Sequence, residues 1–282
     1  SNLVVGVNAM ENEYLKVQIN TDGTVAVTHK ATNTTFDNLN YFEDGGEVGC
    51  AWMHVEPARD EIITSHGFPV SISLEESGPL VATYKIEWRM EVPTGMKENG
   101  GDPWKRLDGG DNAASRGDER KVLSIVSLVT LRKGARAVDV ATKFTNAATH
   151  HRLRAMFPTR LAAKKCHVES AFDVLERDTE YAPGHPWYHA KHPTFPMRRF
   201  VDVSDGKVGL AVLNDGLREY EVTQDNDKAI ALTLMRAYEV SLTTVSYRWE
   251  ERPDQELSQC QGDHTFRYRI YPHAGTWDKA DV

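Results

Sequence analysis

Histidines, aromatic residues and carboxylates are the residue types in this sequence that could bind a ligand or carry out acid–base chemistry. The densest group is the segment GHPWYHAKHP at residues 184–193, which holds His185, His189 and His192. These histidines would converge on a metal ion if the segment were helical. Two prolines disfavour a regular helix, and no cysteine or carboxylate completes the set. We predict no metal site, and Trp187 is a candidate for stacking on a sugar, with a structural loop as the alternative.

Pairs of neighbouring acids are the second group with chemical potential. Glycoside hydrolysis uses two carboxyl groups held about 5 to 9.5 Å apart. Candidate pairs are Glu43/Asp44, Asp202/Asp205 and Asp225/Asp227. Acids in such positions ordinarily form turns or face solvent, and the spacing favours none of these pairs. The sequence also lacks the nucleophile-elbow, phosphate-loop, dinucleotide-binding and zinc-protease motifs, so the residues alone predict no catalytic residue.

The elements that would position these residues are β-strands. Residues 81–92 alternate apolar with charged or polar side chains, which predicts a strand with one face on a core. Residues 121–132 and 135–145 predict a long hairpin, and residues 151–157 predict a further strand. Residues 93–121 are rich in glycine and charge and are interpreted as a mobile surface insertion.

Residues 195–222 predict a meander of three strands. The proposed strands are residues 198–203, 208–213 and 218–222, and both connections contain Asp-Gly, which suits tight turns. The middle strand is apolar throughout, which is typical of a strand covered on both faces. We therefore expect this meander to form the centre of a large antiparallel sheet.

Composition and pattern together indicate the fold class. At least twelve strands, no helical pattern beyond about two turns and no linker of Gly/Ser or Pro type predict an all-β fold, a large antiparallel β-sandwich. The 282 residues carry a formal net charge of −8, which disfavours nucleic acid as a partner. No apolar run approaches the roughly 20 residues of a membrane span. Cys50, Cys166 and Cys260 are widely spaced, which favours a reducing, cytoplasmic location.

Several segments together resemble the C-terminal β domain of bacterial glycoside hydrolase family 38 α-mannosidases. They are ENEYLKV from Glu11 with the following Asp-Gly-Thr, FEDGGEVG from Phe42, HRLRAMFPT from His151, AFDV from Ala171, the meander, and TFRYRIYPHAG from Thr265. Each match is loose, but they span nearly the whole chain in the family's order. The resemblance implies a galactose-mutarotase-like sandwich over residues 3–282, and Ser1-Asn2 is interpreted as a remnant of expression.

The resemblance also implies a function. The parent would be a retaining α-mannosidase whose nucleophile, acid/base and zinc ligands belong to an N-terminal catalytic domain. This chain would then be a non-catalytic domain, without a cofactor of its own, that packs on the catalytic domain of the same polypeptide and lines the rim of its α-mannoside cleft. The parent is expected to be a homo-oligomer.

The site residues follow from the same resemblance. The loop from Glu43 to His54 is the expected functional surface, and Glu43, Asp44, Trp52 and His54 are its candidate substrate-binding residues. Trp52 stands where the family usually has a tyrosine, so it could stack on a sugar but offers no phenol hydroxyl. Packing of Trp52 at a sheet edge or domain interface is the alternative. For the whole chain, the alternative is a stand-alone carbohydrate-binding or mutarotase-like protein, which would need a general acid and base, usually His and Glu, in one pocket.

Overall fold

The computed structural model describes residues 2–51, 53–98, 114–180, 194–238, 241–242, 249–250 and 257–282. Three large antiparallel sheets and two small two-stranded sheets make up the described part of the chain, which contains no α-helix. A five-stranded meander has its strands in chain order, from β1 to β5. Its strands are β1 (Val4–Gly6), β2 (Ala9–Glu11), β3 (Leu15–Ile19), β4 (Val25–His29) and β5 (Thr34–Leu39).

The six-stranded sheet continues directly from this meander. Its strands are β6 (Tyr41–Gly46), β7 (Ile63–Thr64), β14 (His151–Phe157), β17 (Thr194–Pro196), β20 (Glu219–Val222) and β21 (Ile230–Arg236). Their spatial order is β17-β20-β21-β14-β6-β7, so β14 lies between β6 and β21. Strands that are remote in the sequence therefore become neighbours here.

The nine-stranded sheet forms the opposite layer. Its strands are β8 (Val70–Ser77), β9 (Val81–Pro93), β12 (Arg120–Arg132), β13 (Val138–Asn146), β15 (Lys165–Glu169), β16 (Val174–Asp178), β18 (Phe200–Ser204), β19 (Val208–Asn214) and β24 (Gly262–Ala274). Their order is β16-β15-β18-β19-β24-β13-β12-β9-β8. Two small two-stranded sheets complete the strands, β10 (Met96–Glu98) with β11 (Ser115–Arg116) and β22 (Ser241–Leu242) with β23 (Trp249–Glu250).

One apolar core joins the layers. Phe42 of the six-stranded sheet meets Trp88 of the nine-stranded sheet edge to face, with ring centroids 5.1 Å apart. Phe157 meets Tyr268 in the same way at 5.6 Å. All four side chains belong to one continuous buried cluster. The predicted all-β sandwich is confirmed.

The predicted meander at residues 195–222 is only partly correct. β18 and β19 pair as expected, and β19 is largely buried because strands flank it and both of its faces are covered. The third strand, β20, instead pairs with β21 in the six-stranded sheet. β24 takes the place beside β19, where its residues 268–274 pair along the whole of β19. Pairing with a strand distant in the sequence has overridden the local hairpin signal.

The interpretation of residues 93–121 as a surface insertion also needs correction. Arg116, within this segment, is only 7% exposed. Its guanidinium donates to the carbonyl oxygen of Glu61 at 2.8 Å and also binds the Asp44 carboxylate. Residues 99–113 lie outside the described part. Within the described residues, no helix has the length and apolar character needed to span a bilayer.

Candidate functional site

The two faces of the six-stranded sheet carry different chemistry because successive side chains of a strand point to opposite faces. In β6, Phe42 and Asp44 point inward, toward the nine-stranded sheet, and Glu43 points outward. In β14, Arg154 pairs with Glu43 in register, so Arg152 and Arg154 share the outer face. Both arginines are only 8% exposed. The outer face is therefore a polar surface that is largely covered.

Arg154 is held between two carboxylates on the outer face. Its Nη1 donates to Oε2 of Glu221 at 2.6 Å, and its Nε donates to Oε1 of Glu43 at 3.2 Å, with Nη2 on the same Glu43 oxygen. Burial alone would lower the pKa of Arg154, but the two carboxylates outweigh it and raise the pKa above its usual value. Burial would raise the pKa of Glu221, yet the charges of Arg154 and Arg152 hold it below its ordinary range. Arg154 and the two glutamates therefore form a network of ion pairs that links β6, β14 and β20.

A second bridge fixes the segment after β6. Glu47 is fully buried, and its carboxylate accepts hydrogen bonds from Arg236 Nε at 2.7 Å and from the backbone amides of Gly49 at 2.7 Å and Val55 at 3.2 Å. Arg236 also donates to Glu219 Oε2 at 3.2 Å. Burial would raise the pKa of Glu47, but His54 and Arg236, which both bind its carboxylate, outweigh burial and lower the pKa. The loop predicted to be functional is thus anchored to the sheet by one carboxylate.

His54 lies at the end of this loop, with 7% of its surface exposed. Its Nδ1 is 2.7 Å from Glu47 Oε2. Burial, assisted by the nearby charge of Arg152, lowers the pKa of His54 to about 4, although Glu47 opposes the shift. At neutral pH the ring is therefore uncharged, and it donates Nδ1–H to the carboxylate, which can only accept.

Residues 53–62 cover one edge of the outer face at close range. The amide of Gly46 donates to both carboxylate oxygens of Asp60, at 2.9 and 3.1 Å. A Cβ on Gly46 would lie 2.4 Å from Pro57 Cγ, so only glycine permits this approach. The paired glycines at the end of β6 therefore allow the covering segment to pack on the strand.

A polar pocket of about 230 Å³ opens between this covering segment and the sheet. The sheet contributes Glu43, Arg152, Arg154, Thr194 and Glu221, and the covering segment contributes His54, Glu56, Asp60 and Ile62. A larger groove of about 590 Å³ lies on the nine-stranded sheet, with a mainly apolar lining that includes Leu128 and Leu213. We assign the candidate site to the smaller pocket because it concentrates buried charges and two of the residues predicted from the sequence.

The predicted site residues separate in the structure. Glu43 and His54 line the polar pocket. Asp44 does not, because its side chain is fully buried on the inner face, where it binds Arg116 and lies 2.5 Å from His151 Nδ1. Burial would raise the pKa of Asp44, but His151 and Arg116 lower it overall. Trp52 and Trp187 lie outside the described residues, as do the three histidines at residues 185–192.

Sequence reasoning missed the arginines of the outer face and two of their partners, Glu219 and Glu221. A usable signal exists, since Arg152/Arg154 and Glu219/Glu221 are like-charged pairs two residues apart on predicted strands, which places each pair on one face. Which pairs meet across strands has no local signal. Among the described residues, no group of three His, Cys, Asp or Glu side chains is arranged to hold a metal ion.

Comparisons with known proteins agree with this architecture. The family model of the "Glycosyl hydrolases family 38 C-terminal domain" matches residues 10–241. The "Putative mannosylglycerate hydrolase" of Halalkalibacterium halodurans is 30% identical over 279 residues, which are 98% of this chain and 30% of that protein. Human "Alpha-mannosidase 2C1" is 29% identical over 133 residues, which are 47% of this chain and 11% of that protein.

A solved structure gives the same result. The crystal structure of an alpha-mannosidase from Enterococcus faecalis V583 superposes with a TM-score of 0.85 and 27% identity, covering 99% of this chain and 30% of that one. The chain thus spans less than a third of the length of these relatives. The family match, covering most of the chain, shows that this protein belongs to the C-terminal domain family of the glycosyl hydrolases of family 38.

Proposed function

We propose that this chain is the non-catalytic C-terminal domain of an α-mannosidase-like glycoside hydrolase and that its polar pocket lines the carbohydrate cleft. The proposal includes a catalytic domain of the same polypeptide as partner and an α-mannoside as substrate. The observation that carries it is the pocket itself, where charged side chains are held in place on a covered sheet face. The names of the relatives, an alpha-mannosidase and a mannosylglycerate hydrolase, support the substrate class.

The chemistry of the pocket supports a non-catalytic role. A general acid for glycoside hydrolysis needs a carboxyl group with a raised pKa. The pKa of Glu221 is lowered by its arginine partners. Burial raises the pKa of Asp60, but its carboxylate accepts hydrogen bonds from the amides of Gly46 and Glu61, which gives it a structural task in holding the covering segment. Nucleophile, acid and zinc ligands are therefore proposed to belong to the catalytic domain.

Asp44 has a different proposed task. Its ionic contacts with Arg116 and His151 link β6, β11 and β14 behind the pocket. Because the carboxylate is fully buried, we propose that Asp44 positions β6, and with it Glu43, rather than touching substrate.

The proposal extends to location and assembly. The three cysteines form no disulfide, which supports a reducing, cytoplasmic compartment. Homo-oligomer formation by the parent polypeptide is part of the same proposal, and size-exclusion chromatography with light scattering on that polypeptide would test it.

A second candidate function is a stand-alone sugar-binding or mutarotase-like protein. It is favoured by the presence of His54 and Glu43 in one pocket, which are the residue types that acid–base catalysis of anomer exchange requires. His54 is uncharged at neutral pH and so could serve only as a base there.

Hydrolysis and anomer exchange, measured side by side, distinguish the two functions. The chain alone and the longer polypeptide that contains it are assayed on 4-nitrophenyl α-mannoside and on α-mannosylglycerate, with and without added zinc. We expect turnover by the longer polypeptide only. Hydrolysis by the chain alone would overturn the non-catalytic role, and acceleration of mannose mutarotation by the chain would establish the second function.

A further inference from the structure

Arg152 is the one arginine of the described outer face without a close carboxylate partner. Its Nη1 donates to Thr194 Oγ1 at 3.3 Å, and its Nη2 lies 3.9 Å from Glu221 Oε2, beyond hydrogen-bond distance. That glutamate oxygen is already bound by Arg154 at 2.6 Å. A guanidinium has five N–H donors, so most donors of Arg152 have no protein acceptor among the described residues.

This arrangement costs stability. Arg152 is only 8% exposed. Burial, together with repulsion from Arg154, lowers the pKa of Arg152 to about 10, which means that its charged form is disfavoured relative to water. Burying a charge is unfavourable unless partners satisfy it. A residue that weakens the fold at a pocket wall is typical of a binding function.

The charges around the pocket decide which ligand fits. Among the described residues that line it, Glu43, Glu56, Asp60 and Glu221 carry carboxyl groups, against the guanidiniums of Arg152 and Arg154. A carboxylate ligand at Arg152 would approach Glu221 and face further acids on the opposite wall. A hydroxyl group both donates and accepts, so adjacent hydroxyls can accept from Arg152 and donate to Glu221 or Glu43.

The size of the pocket further limits which ligands can bind. Its volume of about 230 Å³ is below the roughly 300–1,000 Å³ of pockets for drug-sized ligands. It can therefore take a small part of a glycoside, with a few hydroxyl groups, rather than an oligosaccharide.

We propose that the polar pocket binds a neutral, polyhydroxylated part of the glycoside and that Arg152 donates to its hydroxyl oxygens while Glu221 and Glu43 accept. This inference rests on the proposed function, because it assumes that the pocket opens on a carbohydrate cleft. The inference goes beyond the proposed function by assigning Arg152 as the binding residue and a neutral polyol as the ligand class.

The first test compares two arginines on the same strand. Arg152→Gln and Arg154→Gln remove equally buried guanidiniums, but only Arg154 is satisfied by carboxylates. In urea unfolding of the chain, we expect the midpoint of Arg152→Gln to equal or exceed that of the wild type and the midpoint of Arg154→Gln to fall clearly. An equal loss for both variants would show that Arg152 serves the fold and would overturn the inference.

The second test measures binding by the chain. Titrations followed by the NMR signals of the arginine side chains use α-mannosylglycerol and α-mannosylglycerate, which differ only in a hydroxymethyl group in place of the carboxylate. We expect α-mannosylglycerol to shift the Arg152 signal, and Arg152→Gln to weaken its binding tenfold or more, as expected for loss of a hydrogen bond to a charged donor. Arg160→Gln is the control, because Arg160 is half-exposed and pairs with Asp227 at 3.0 Å away from the pocket.

The other outcomes of the titration would overturn either the ligand class or the role of Arg152. Selective loss of α-mannosylglycerate binding in Arg152→Gln would overturn the neutral ligand class in favour of a carboxylate. Unchanged binding of both ligands would overturn the role of Arg152. If the longer polypeptide still hydrolyses α-mannosides in that case, the proposed function stands while this inference fails. Arg152→Lys, which keeps the charge but loses the planar donor fork, is expected to bind as weakly as Arg152→Gln.

Discussion

His54 and Arg152 are buried in the wall of the same pocket, but they differ in how close their nearest carboxylate partner is. The neutral ring of His54 is satisfied by Glu47 at 2.7 Å. Arg152 has no comparable partner among the described residues, as its nearest carboxylate oxygen is 3.9 Å away. His54 therefore contributes to stability at neutral pH, whereas Arg152 lowers the stability of the fold.

The lowered pKa of His54 makes stability depend on pH. Between the ordinary value of 6.5 and the folded value of about 4, the unfolded chain binds more protons at this residue than the folded chain does. The free energy of unfolding therefore rises with pH through this window, by up to about 1.4 kcal/mol per pH unit for one histidine. We expect His54→Asn, which removes the titrating ring, to flatten this slope in urea unfolding measured from pH 4.5 to 6.5.

Two histidines serve as references for this measurement. Burial, with a smaller contribution from His273, also lowers the pKa of His29, so part of the wild-type slope will remain in His54→Asn. His66→Asn is the matched control, because the His66 side chain is 36% exposed. A slope that is the same in wild type and His54→Asn would contradict an uncharged, buried His54.

Elements bring these residues together through their registers. β14 carries Arg152 and Arg154 outward and His151 inward, and it pairs with β6 on one side and β21 on the other. On the inner face, His151 Nδ1 meets Asp44 and its Nε2 lies 3.0 Å from Asn146 Oδ1. Asn146 uses its amide N–H groups on the carbonyl oxygens of Gln259 and Cys260, so its oxygen faces the ring. Both ring nitrogens of His151 therefore lie within hydrogen-bond distance of a side-chain oxygen, which fixes the orientation of the ring.

β19 shows how one glycine sets the packing between two strands. Gly209 lies opposite His273 of β24, whose Nε2 is 2.7 Å from the buried carboxylate of Asp202. A Cβ at Gly209 would lie 2.3 Å from His273 Cε1 and 2.7 Å from Ser204 Cβ. The imidazole cannot move away without losing its bond to Asp202. Asp202 was interpreted from the sequence as a turn-forming or solvated acid, but the structure places it at 0% exposure.

We expect Gly209→Ala to destabilise the chain by about 1–3 kcal/mol, as overpacking does, despite the entropic gain of replacing a strand glycine. Chemical denaturation of the chain measures the change. Gly6→Ala in β1 is the control, since a Cβ there would meet only Ala9 at an ordinary 3.8 Å. In a His273→Ala background the cost of Gly209→Ala should fall, and the part that remains should come from the contact with Ser204 Cβ. An unchanged cost in that background would refute steric conflict with the imidazole.

At the scale of the whole molecule, a closed ring of hydrogen bonds joins the two layers inside the apolar core. Tyr268 of β24 donates to Asn40 Oδ1 at 2.7 Å and lies 2.6 Å from Thr142 Oγ1. Thr142 lies 2.8 Å from Ser127 Oγ, which accepts from Asn40 Nδ2 at 3.4 Å. All four residues are buried, and burial raises the pKa of Tyr268. Because Asn40 connects β5 to β6, the ring fixes the junction of the two smaller sheets against the larger one.

We expect Tyr268→Phe to lower the free energy of unfolding by about 1–3 kcal/mol, because it leaves the buried Asn40 Oδ1 without its donor and leaves the Thr142 hydroxyl with Ser127 as its only partner in the ring. Thermal or urea unfolding measures the loss. Tyr84→Phe is the matched control in the same sheet, since Tyr84 is 3% exposed and its hydroxyl bonds to no described residue. A loss no larger than that of the control would show that the ring contributes nothing to the union of the layers.

Part of the candidate site could be predicted from the sequence. Glu43 and His54 were found through the resemblance of their loop to the family, and both line the pocket. Strand alternation predicts that Glu43 and Asp44 face opposite sides, but it does not reveal which side is the core. That side is decided by Phe42, which packs on Trp88 of the other layer and so turns Asp44 inward.

The sequence by itself determined the fold class, most strand positions and the family resemblance. These depend on local alternation of side chains and on short segments in a fixed order, which are properties of neighbouring residues. The tertiary structure decided that β20 belongs to the six-stranded sheet. It also brought Arg154 to Glu43, 111 residues away in the sequence, and to Glu221, 67 residues away. It also decided that Arg152, two residues from Arg154, has no such partner in the part of the chain that the structure describes. Contacts between residues so far apart are chosen by the packing of whole sheets, which no local pattern specifies.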